Sequence, residues 1–157
     1  MLPERYEESE APYADTAQAL FAVFFLSVWT ADSFWLRWTT HLSWQVPGVV
    51  RTTLFLLLAL VGGYFSWKAH EQIFGVTRDE PELVDYGVFR LSRHPMYLGI
   101  MMIYLGLTLS SMSVAALVVL AAIFLFYNYL ASYEEEKLVE CFGEKYLNYM
   151  RRVRRWL

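Results

Sequence analysis

The stretch LSRHPMYLG places a guanidinium, an imidazole and a phenol at the start of a long apolar run. Pro95 suits the first turn of a helix, where its missing N–H costs nothing, and it favours an extended conformation for His94. The free N–H groups of that turn, at the positive end of the helix dipole, attract a carboxylate or phosphate. Arg93 adds a full charge, and the imidazole can donate or accept a proton near neutral pH. Tyr97 lies close by, and Gly99 allows the close approach of a ligand or of another backbone.

A second polar block, YEEEKL, carries Glu134, Glu135 and Glu136 at the end of another apolar run. A ligand bound between the two blocks would need an anionic end and a cationic end, as an amino-acid moiety or a sulfonium has. Each block alone has a plainer interpretation. An Arg-His pair before a span is often a membrane anchor, and a glutamate triplet is usually a solvated face. The fold must therefore bring the blocks together if they are to do chemistry.

Composition and apolar segments indicate a membrane protein. Of the 157 residues, 57% are hydrophobic and 18% are charged, against the roughly 45–50% apolar usage of soluble domains. Four segments approach the roughly 20 residues needed to cross a bilayer. The sequence therefore predicts an all-α polytopic membrane protein with four transmembrane helices, at about residues 17–36, 49–67, 95–111 and 114–133.

The third and fourth predicted spans are separated by little more than SMS. So short a connection predicts a tight antiparallel hairpin with both of its other ends on the same side of the membrane. The start of the third span, which carries Arg93 and His94, should then lie beside the glutamates that follow the fourth.

The basic residues are distributed asymmetrically about the predicted spans. If the amino terminus is cytoplasmic, only Arg37 and Arg51 of the 13 Lys and Arg residues fall outside. The positive-inside rule then predicts that both termini, the loop at residues 68–94 and the active site face the cytoplasm.

The two ends of the chain differ in character. Residues 1–16 are acidic and contain two prolines, which predicts a flexible polar tail. Residues 134–157 are predicted to form an interfacial amphipathic helix that lies against anionic headgroups. Its apolar stripe repeats at helical spacing, and Gly143 should break or bend it. The stripe consists of Leu138, Phe142, Tyr146, Tyr149 and Val153.

Several other classes of site are disfavoured. The single cysteine, Cys141, excludes an intramolecular disulfide and a cysteine metal cage, and no metal site is predicted. The pair Gly62-Gly63 lies inside an apolar span and indicates close helix packing rather than phosphate binding. A net charge of −3 gives no reason to expect a nucleic-acid partner. Asp32 is the acidic residue within a span, so a small transporter or scaffold built around Asp32 is the rival hypothesis.

The two polar blocks together resemble a known family. The segments GVFRLSRHPMYLG (residues 87–99) and YEEEKLVECFGEKYLNYMRRV (residues 133–153) flank an apolar hairpin. This arrangement resembles the isoprenylcysteine carboxyl methyltransferases and the related phospholipid methyltransferases, over about residues 83–156. The resemblance implies an integral membrane methyltransferase that uses S-adenosylmethionine. Its cofactor pocket would be closed by the last two spans and the C-terminal segment, and a lipophilic acceptor would enter from the bilayer.

The resemblance also implies roles for individual residues. Arg93 and Glu135 are expected to be catalytic. The residues expected to bind the cofactor are His94, Tyr97, Gly99, Glu134, Glu135, Tyr146 and Tyr149.

The expected methyl acceptor is an isoprenylated cysteine or a related thioether carboxylate, and a phospholipid amine is the alternative. A carboxylate needs no general base at pH 7, whereas an amine or hydroxyl would need one, which His94 or a glutamate could supply. Relatives that act on prenylcysteine often carry an arginine shortly before the glutamate pair. Here residues 131–133 are Ala, Ser and Tyr, with Arg90 or Arg93 as possible substitutes.

Overall fold

The computed structural model describes residues 13–75 and 82–157, and every regular element within these ranges is a helix. The all-α prediction is thus confirmed. The π-helical segment Ala31–Leu36 continues the first α-helix of the chain, and 3-10 helices lie at His41–Trp44 and Gly87–Arg90. The α-helices are α1 (Ala14–Thr30), α2 (Gly48–Phe74), α3 (Pro95–Ser111), α4 (Val114–Phe142) and α5 (Glu144–Arg152). Most of the predicted acidic tail, residues 1–12, lies outside the described ranges.

Three helical stretches in the described part of the chain are long and apolar enough to cross a membrane: Ala14–Leu36, Gly48–Phe74 and Val114–Phe142. The fourth, α3, is a shorter apolar helix of 17 residues. Large apolar side chains such as Leu60 are exposed on the outside of these helices. Such a surface is stable in contact with lipid, which supports the prediction of a polytopic membrane protein.

Two helices extend well beyond the predicted spans. The predicted ends, at residues 67 and 133, were set by the first charged residues, but α2 continues to Phe74 and α4 to Phe142. Charge marks where the hydrocarbon ends, whereas a helix ends where its backbone hydrogen bonding is interrupted. For α4 that point is Gly143, which has a φ of 54° and separates α4 from α5. The break expected at Gly143 is therefore present, and the glutamate triplet belongs to α4 itself.

The tight hairpin between α3 and α4 is confirmed. Only Met112, in the left-handed conformation, and Ser113 lie between the two helices. The Ser113 hydroxyl caps α4 by accepting a hydrogen bond from the N–H of Ala116 at 3.0 Å. This turn fixes the pairing of α3 with α4 at their far ends.

Close packing of α2 against α3 depends on glycines. A Cβ added at Gly62 would collide with the backbone oxygen of Gly99, and one added at Gly99 would collide with that of Gly62. The packing role predicted for Gly62 fits this contact, whereas Gly63 has no atom within 4 Å of its Cβ position.

The apolar stripe of α5 packs against the protein itself. Tyr146 and Tyr149 are almost completely buried together with Leu83, which belongs to the loop before α3. Arg151 and Arg152 are exposed, and Arg152 forms an ion pair of 3.4 Å with Asp85 of the same loop. The predicted stripe is therefore present, but it packs against the loop before α3. The exposed charged side chains at residues 144–152 are mainly basic.

Candidate active site

The polar site lies where the start of α3 meets the distal part of α4. His94 precedes Pro95 with a φ of −126° and a ψ of 63°, so it leaves the helical region, as expected before proline, without reaching the fully extended conformation. Its backbone N–H donates to Ser92 Oγ at 3.2 Å, and that hydroxyl donates to the carbonyl of Arg155 at 2.8 Å. The N–H of Arg93 also donates to the carbonyl of Arg154, at 3.0 Å. The C-terminal segment thus holds the loop that presents Arg93 and His94.

The imidazole of His94 lies between two carboxylates and is almost fully buried. Its Nδ1 is 3.3 Å from Glu134 Oε2, and its Nε2 is 3.2 Å from Glu135 Oε1. Burial disfavours the charged ring, but the hydrogen bonds that the ring donates to Glu134 and Glu135 outweigh it, so the pKa of His94 is raised. Because both nitrogens face carboxylates, the protonated ring is the favoured form.

Tyr97 completes the polar wall one turn into α3. Its hydroxyl donates to Glu134 Oε1, and its ring stacks on that of His94 with an interplanar angle of 4°. On its other side it stacks on Tyr127, with the ring centroids 4.8 Å apart. Both oxygens of Glu134 are therefore engaged, one by Tyr97 and one by His94.

Glu135 is buried behind this wall and is held mainly by Arg155. The Nε and a terminal nitrogen of Arg155 donate to the two oxygens of Glu135 at 3.0 and 2.6 Å. The other terminal nitrogen donates to Asn128 Oδ1 and Ser132 Oγ, at 3.1 and 3.0 Å. Arg155 was not predicted as a site residue from the sequence. Its place in a basic C-terminal run suggested headgroup binding, and no spacing signal relates it to Glu135.

Arg93 approaches the same carboxylate without a hydrogen bond. Its Nε lies 3.4 Å from Glu135 Oε1, an ion-pair distance, but that buried nitrogen has no partner with hydrogen-bond geometry. Its side chain is only 11% exposed and lines the cavity described below. Arg93 is thus a buried cation whose hydrogen-bonding capacity is incompletely used.

A cavity of about 500 Å³ opens in front of the polar wall. Its size is within the roughly 300–1,000 Å³ usual for small-molecule sites. Helices α1 to α5 and the loop before α3 all contribute to its walls. The residues that line the cavity include Asp15, His70, Phe74, Arg93, His94, Met96, Tyr97, Glu134, Tyr146 and Tyr149.

The two tyrosines of α5 form one apolar wall of this cavity. Tyr149 donates its hydroxyl hydrogen to the carbonyl of Phe89 at 2.6 Å, which attaches α5 to the loop before α3. Burial raises the pKa of both Tyr146 and Tyr149, so both phenols remain protonated near neutral pH.

Two of the predicted site residues do not line the cavity. Gly99 faces α2, where its contact with Gly62 leaves no room for a ligand, so its position fits helix packing rather than cofactor binding. Glu135 does not line the cavity but contacts His94, which does. Among the residues that the structure describes, no cluster of His, Cys, Asp or Glu is arranged to hold a metal ion.

A second buried carboxylate, Asp32, lies at the opposite end of the α3–α4 hairpin. It accepts hydrogen bonds from the hydroxyls of Thr39 and Ser113, both at 2.5 Å, and from the N–H of Thr39 at 3.1 Å. Thr39 Oγ1 in turn accepts from the N–H of Ala115 at 2.9 Å. Asp32 therefore joins the end of α1 to the cap of α4, and it does not line the cavity.

Comparison with known proteins identifies relatives over most of the chain. Residues 48–145, more than half of the sequence, match the phospholipid methyltransferase family. A methanethiol S-methyltransferase of Pseudomonas deceptionensis is 34% identical over 138 residues, which cover 76% of this chain and 51% of that relative. The chain thus spans about half the length of the curated relative. No solved structure matches it.

Proposed function

This chain belongs to the phospholipid methyltransferase family, as its sequence predicted, and from that premise we propose that it methylates a small lipophilic thiol. The methyl donor is S-adenosylmethionine, and the site opens to the cytoplasm. The observation that carries the proposal is the cavity at the start of α3, whose polar wall holds groups of both charges. A membrane-soluble acceptor would reach it from the apolar side.

The groups in the cavity match the charges of the cofactor. Arg93 can bind the methionine carboxylate, since it lies beside the start of α3, where the positive end of the helix dipole attracts an anion. The incompletely hydrogen-bonded Nε of Arg93 supports this assignment. Glu134 can face the ammonium group, and Tyr146 and Tyr149 offer apolar surface. S-adenosylmethionine supplies an electrophilic methyl group on a sulfonium, and the residues of the chain align it and exclude water.

Charge balance favours a thiol over a carboxylate as the acceptor. The charge of His94 is met by Glu134 and Glu135, and Arg155 is committed to Glu135. Among the residues that the structure describes, Arg93 is then the arginine that lines the cavity, and the carboxylate of the cofactor needs it. An acceptor with its own carboxylate or phosphate would lack a cation, whereas a thiol needs none. The relative named methanethiol S-methyltransferase supports the same choice.

The carboxyl group of an isoprenylated thioether is the second candidate acceptor. Its support is the convergence of Arg93 and Arg155 on Glu135 beside Ser132. Enzymes that act on prenylcysteine are expected to carry an arginine near this position, shortly before the glutamate pair. If Arg93 or Arg155 moved away from Glu135, that arginine could bind an acceptor carboxylate instead.

The test has two parts, both on the protein in lipid nanodiscs. Calorimetry should detect micromolar binding of S-adenosylmethionine and S-adenosylhomocysteine that is lost in His94→Ala and kept in His41→Ala. His41 is an exposed histidine outside the cavity. Absence of binding in the wild type would overturn the methyltransferase proposal and favour the transporter or scaffold hypothesis.

The second part supplies methyl-labelled S-adenosylmethionine with an alkanethiol, an S-farnesyl thioether carboxylate or phosphatidylethanolamine. A thioether product supports the proposed function. A base-labile methyl ester identifies the second candidate instead, and label in a base-stable lipid identifies a phospholipid amine as the acceptor.

A further inference from the structure

A thiol must lose its proton as its sulfur is methylated, and the polar wall described above contains no group free to take it. We propose that His70, on α2, is the proton acceptor of the cavity and a catalytic residue for thiol acceptors. This assignment rests on the proposed function, because it concerns the acceptor of the same reaction.

Most of the other titratable groups among the described residues that line the cavity are already committed. Arg93 is a permanent cation, and His94 faces a carboxylate at each ring nitrogen. Both oxygens of Glu134 are engaged by His94 and Tyr97. The phenols of Tyr146 and Tyr149 are buried, which keeps their protons in place. Of the lining residues, this leaves Asp15 and His70.

His70 combines a suitable side chain with a free ring. In the described part of the chain its one ring contact is with Phe74, at a centroid distance of 4.7 Å, and neither ring nitrogen has a hydrogen-bond partner. The ring therefore has a fixed neighbour and a vacant lone pair. An imidazole is the side chain best suited to accepting a proton near neutral pH.

The surroundings of His70 leave it available to a substrate. It comes from a different helix than Arg93, His94 and Glu134, so a cofactor bound to that polar wall need not cover it. Asp15 at the start of α1 is the acidic group that lines the same cavity from another element. On α2 itself, Lys68 and Glu71 form an ion pair with each other at 2.6 Å.

The proposed step balances without another reactant. The acceptor sulfur forms a bond to the methyl carbon, and the carbon–sulfur bond of the sulfonium breaks with its electron pair remaining on the donor sulfur. The thiol proton passes to the free nitrogen of His70, which later releases it to water. A thiol that is already ionised would not need His70.

The kinetic test compares two thiols in His70→Gln, with His41→Gln as the matched control. For an alkanethiol we expect kcat to fall about 100-fold or more, the contribution typical of a general base. For an acidic aryl thiol, largely ionised at the working pH, we expect a change of less than about threefold. Unchanged calorimetric affinity for S-adenosylhomocysteine would show that the site is intact. Equal losses for both thiols, or a thiol-dependent loss in Asp15→Asn instead, would overturn the assignment.

A spectroscopic measurement tests His70 without turnover. An aryl thiol whose thiolate absorbs in the near ultraviolet is titrated with pH in the complex with S-adenosylhomocysteine. In the wild type the bound thiol should ionise at lower pH than in His70→Gln, because an imidazolium stabilises the thiolate. Coincident titration curves for the two proteins would overturn the proposal. If the proposed function itself fails, the wild type will methylate neither thiol.

Discussion

The two ends of the α3–α4 hairpin each hold a buried carboxylate, and the two are bound in different ways. Asp32, at the turn end, receives hydrogen bonds from two hydroxyls and one backbone N–H. Glu135, at the open end, faces two arginines and a histidine. Asp32 is the acidic residue within a span predicted from the sequence, yet the cavity opens at the other end.

A structural carboxylate can be distinguished from a functional one by the charge and position of its partners. At Asp32 the donors are neutral, and each is tied to the cap of α4, so the site is closed and holds helices together. At Glu135 the partners are charged and border a cavity through Arg93 and His94. Charged groups retained beside a cavity are the usual mark of a binding or catalytic site.

Glu135→Gln should have the largest effect on function. It removes the charge that holds His94 and Arg155 in place, and we expect a loss of about 100-fold or more in affinity for S-adenosylhomocysteine. Calorimetry in nanodiscs measures it, with the exposed Glu140→Gln as the control. An affinity within threefold of the wild type would remove Glu135 from the site.

Asp32→Ala should show the opposite pattern, with a loss of stability and little change in binding. Three hydrogen bonds to the carboxylate are lost, which corresponds to about 2–4 kcal/mol in the free energy of unfolding. Unfolding in mixed micelles measures the stability, and calorimetry the affinity. Unchanged stability with lost affinity would mean that Asp32 serves a ligand.

Gly99→Ala tests the assignment of Gly99 to helix packing. The added methyl group meets the backbone of Gly62 on α2, so we expect a loss of about 1–3 kcal/mol in stability. Gly63→Ala, where the same methyl group has open space, is the matched control and should be nearly neutral. A Gly99→Ala protein of normal stability that no longer binds the cofactor would return Gly99 to the ligand site.

Arg155→Ala should weaken cofactor affinity by about tenfold, less than Glu135→Gln, because Arg93 still faces the carboxylate. Arg155→Lys should recover only part of it, since a lysine cannot reproduce the bidentate contact. Arg154→Ala is the control, because the Arg154 side chain is exposed and only its backbone carbonyl is used. Equal effects at the two positions would indicate headgroup binding instead.

Much of this architecture could be predicted from the sequence, because apolar runs and the SMS connection are local signals. The hairpin and the meeting of the two polar blocks follow from them, whereas His94 departs from the predicted extended conformation with a ψ of 63°. The helix ends could not be predicted from charge, since backbone hydrogen bonding continues beyond the hydrocarbon. The positions of Arg155 and His70 depend on contacts between segments that are distant in the sequence. A periodic pattern within one segment contains no information about such contacts.

The smallest effect should be a difference in pH dependence between the two ends of the hairpin. Because Glu134 and Glu135 raise the pKa of His94 above its unfolded value of about 6.5, the protonated ring stabilises the fold. That stabilisation is fully present below the unfolded pKa and is lost as pH rises through the raised pKa. We therefore expect the unfolding midpoint of the wild type to fall over this window and that of His94→Gln to fall less.

Asp32→Ala is the comparison for His94→Gln, because the hydroxyl and amide donors around Asp32 do not titrate near neutral pH. That variant should be less stable at every pH but keep the slope of the wild type. The exposed His41 and His70 remain in all three proteins, so a difference in slope isolates His94. Identical slopes in the wild type and His94→Gln would mean that the imidazole is not held as a cation. The charged character of the open end would then depend on Arg93 and Arg155 alone.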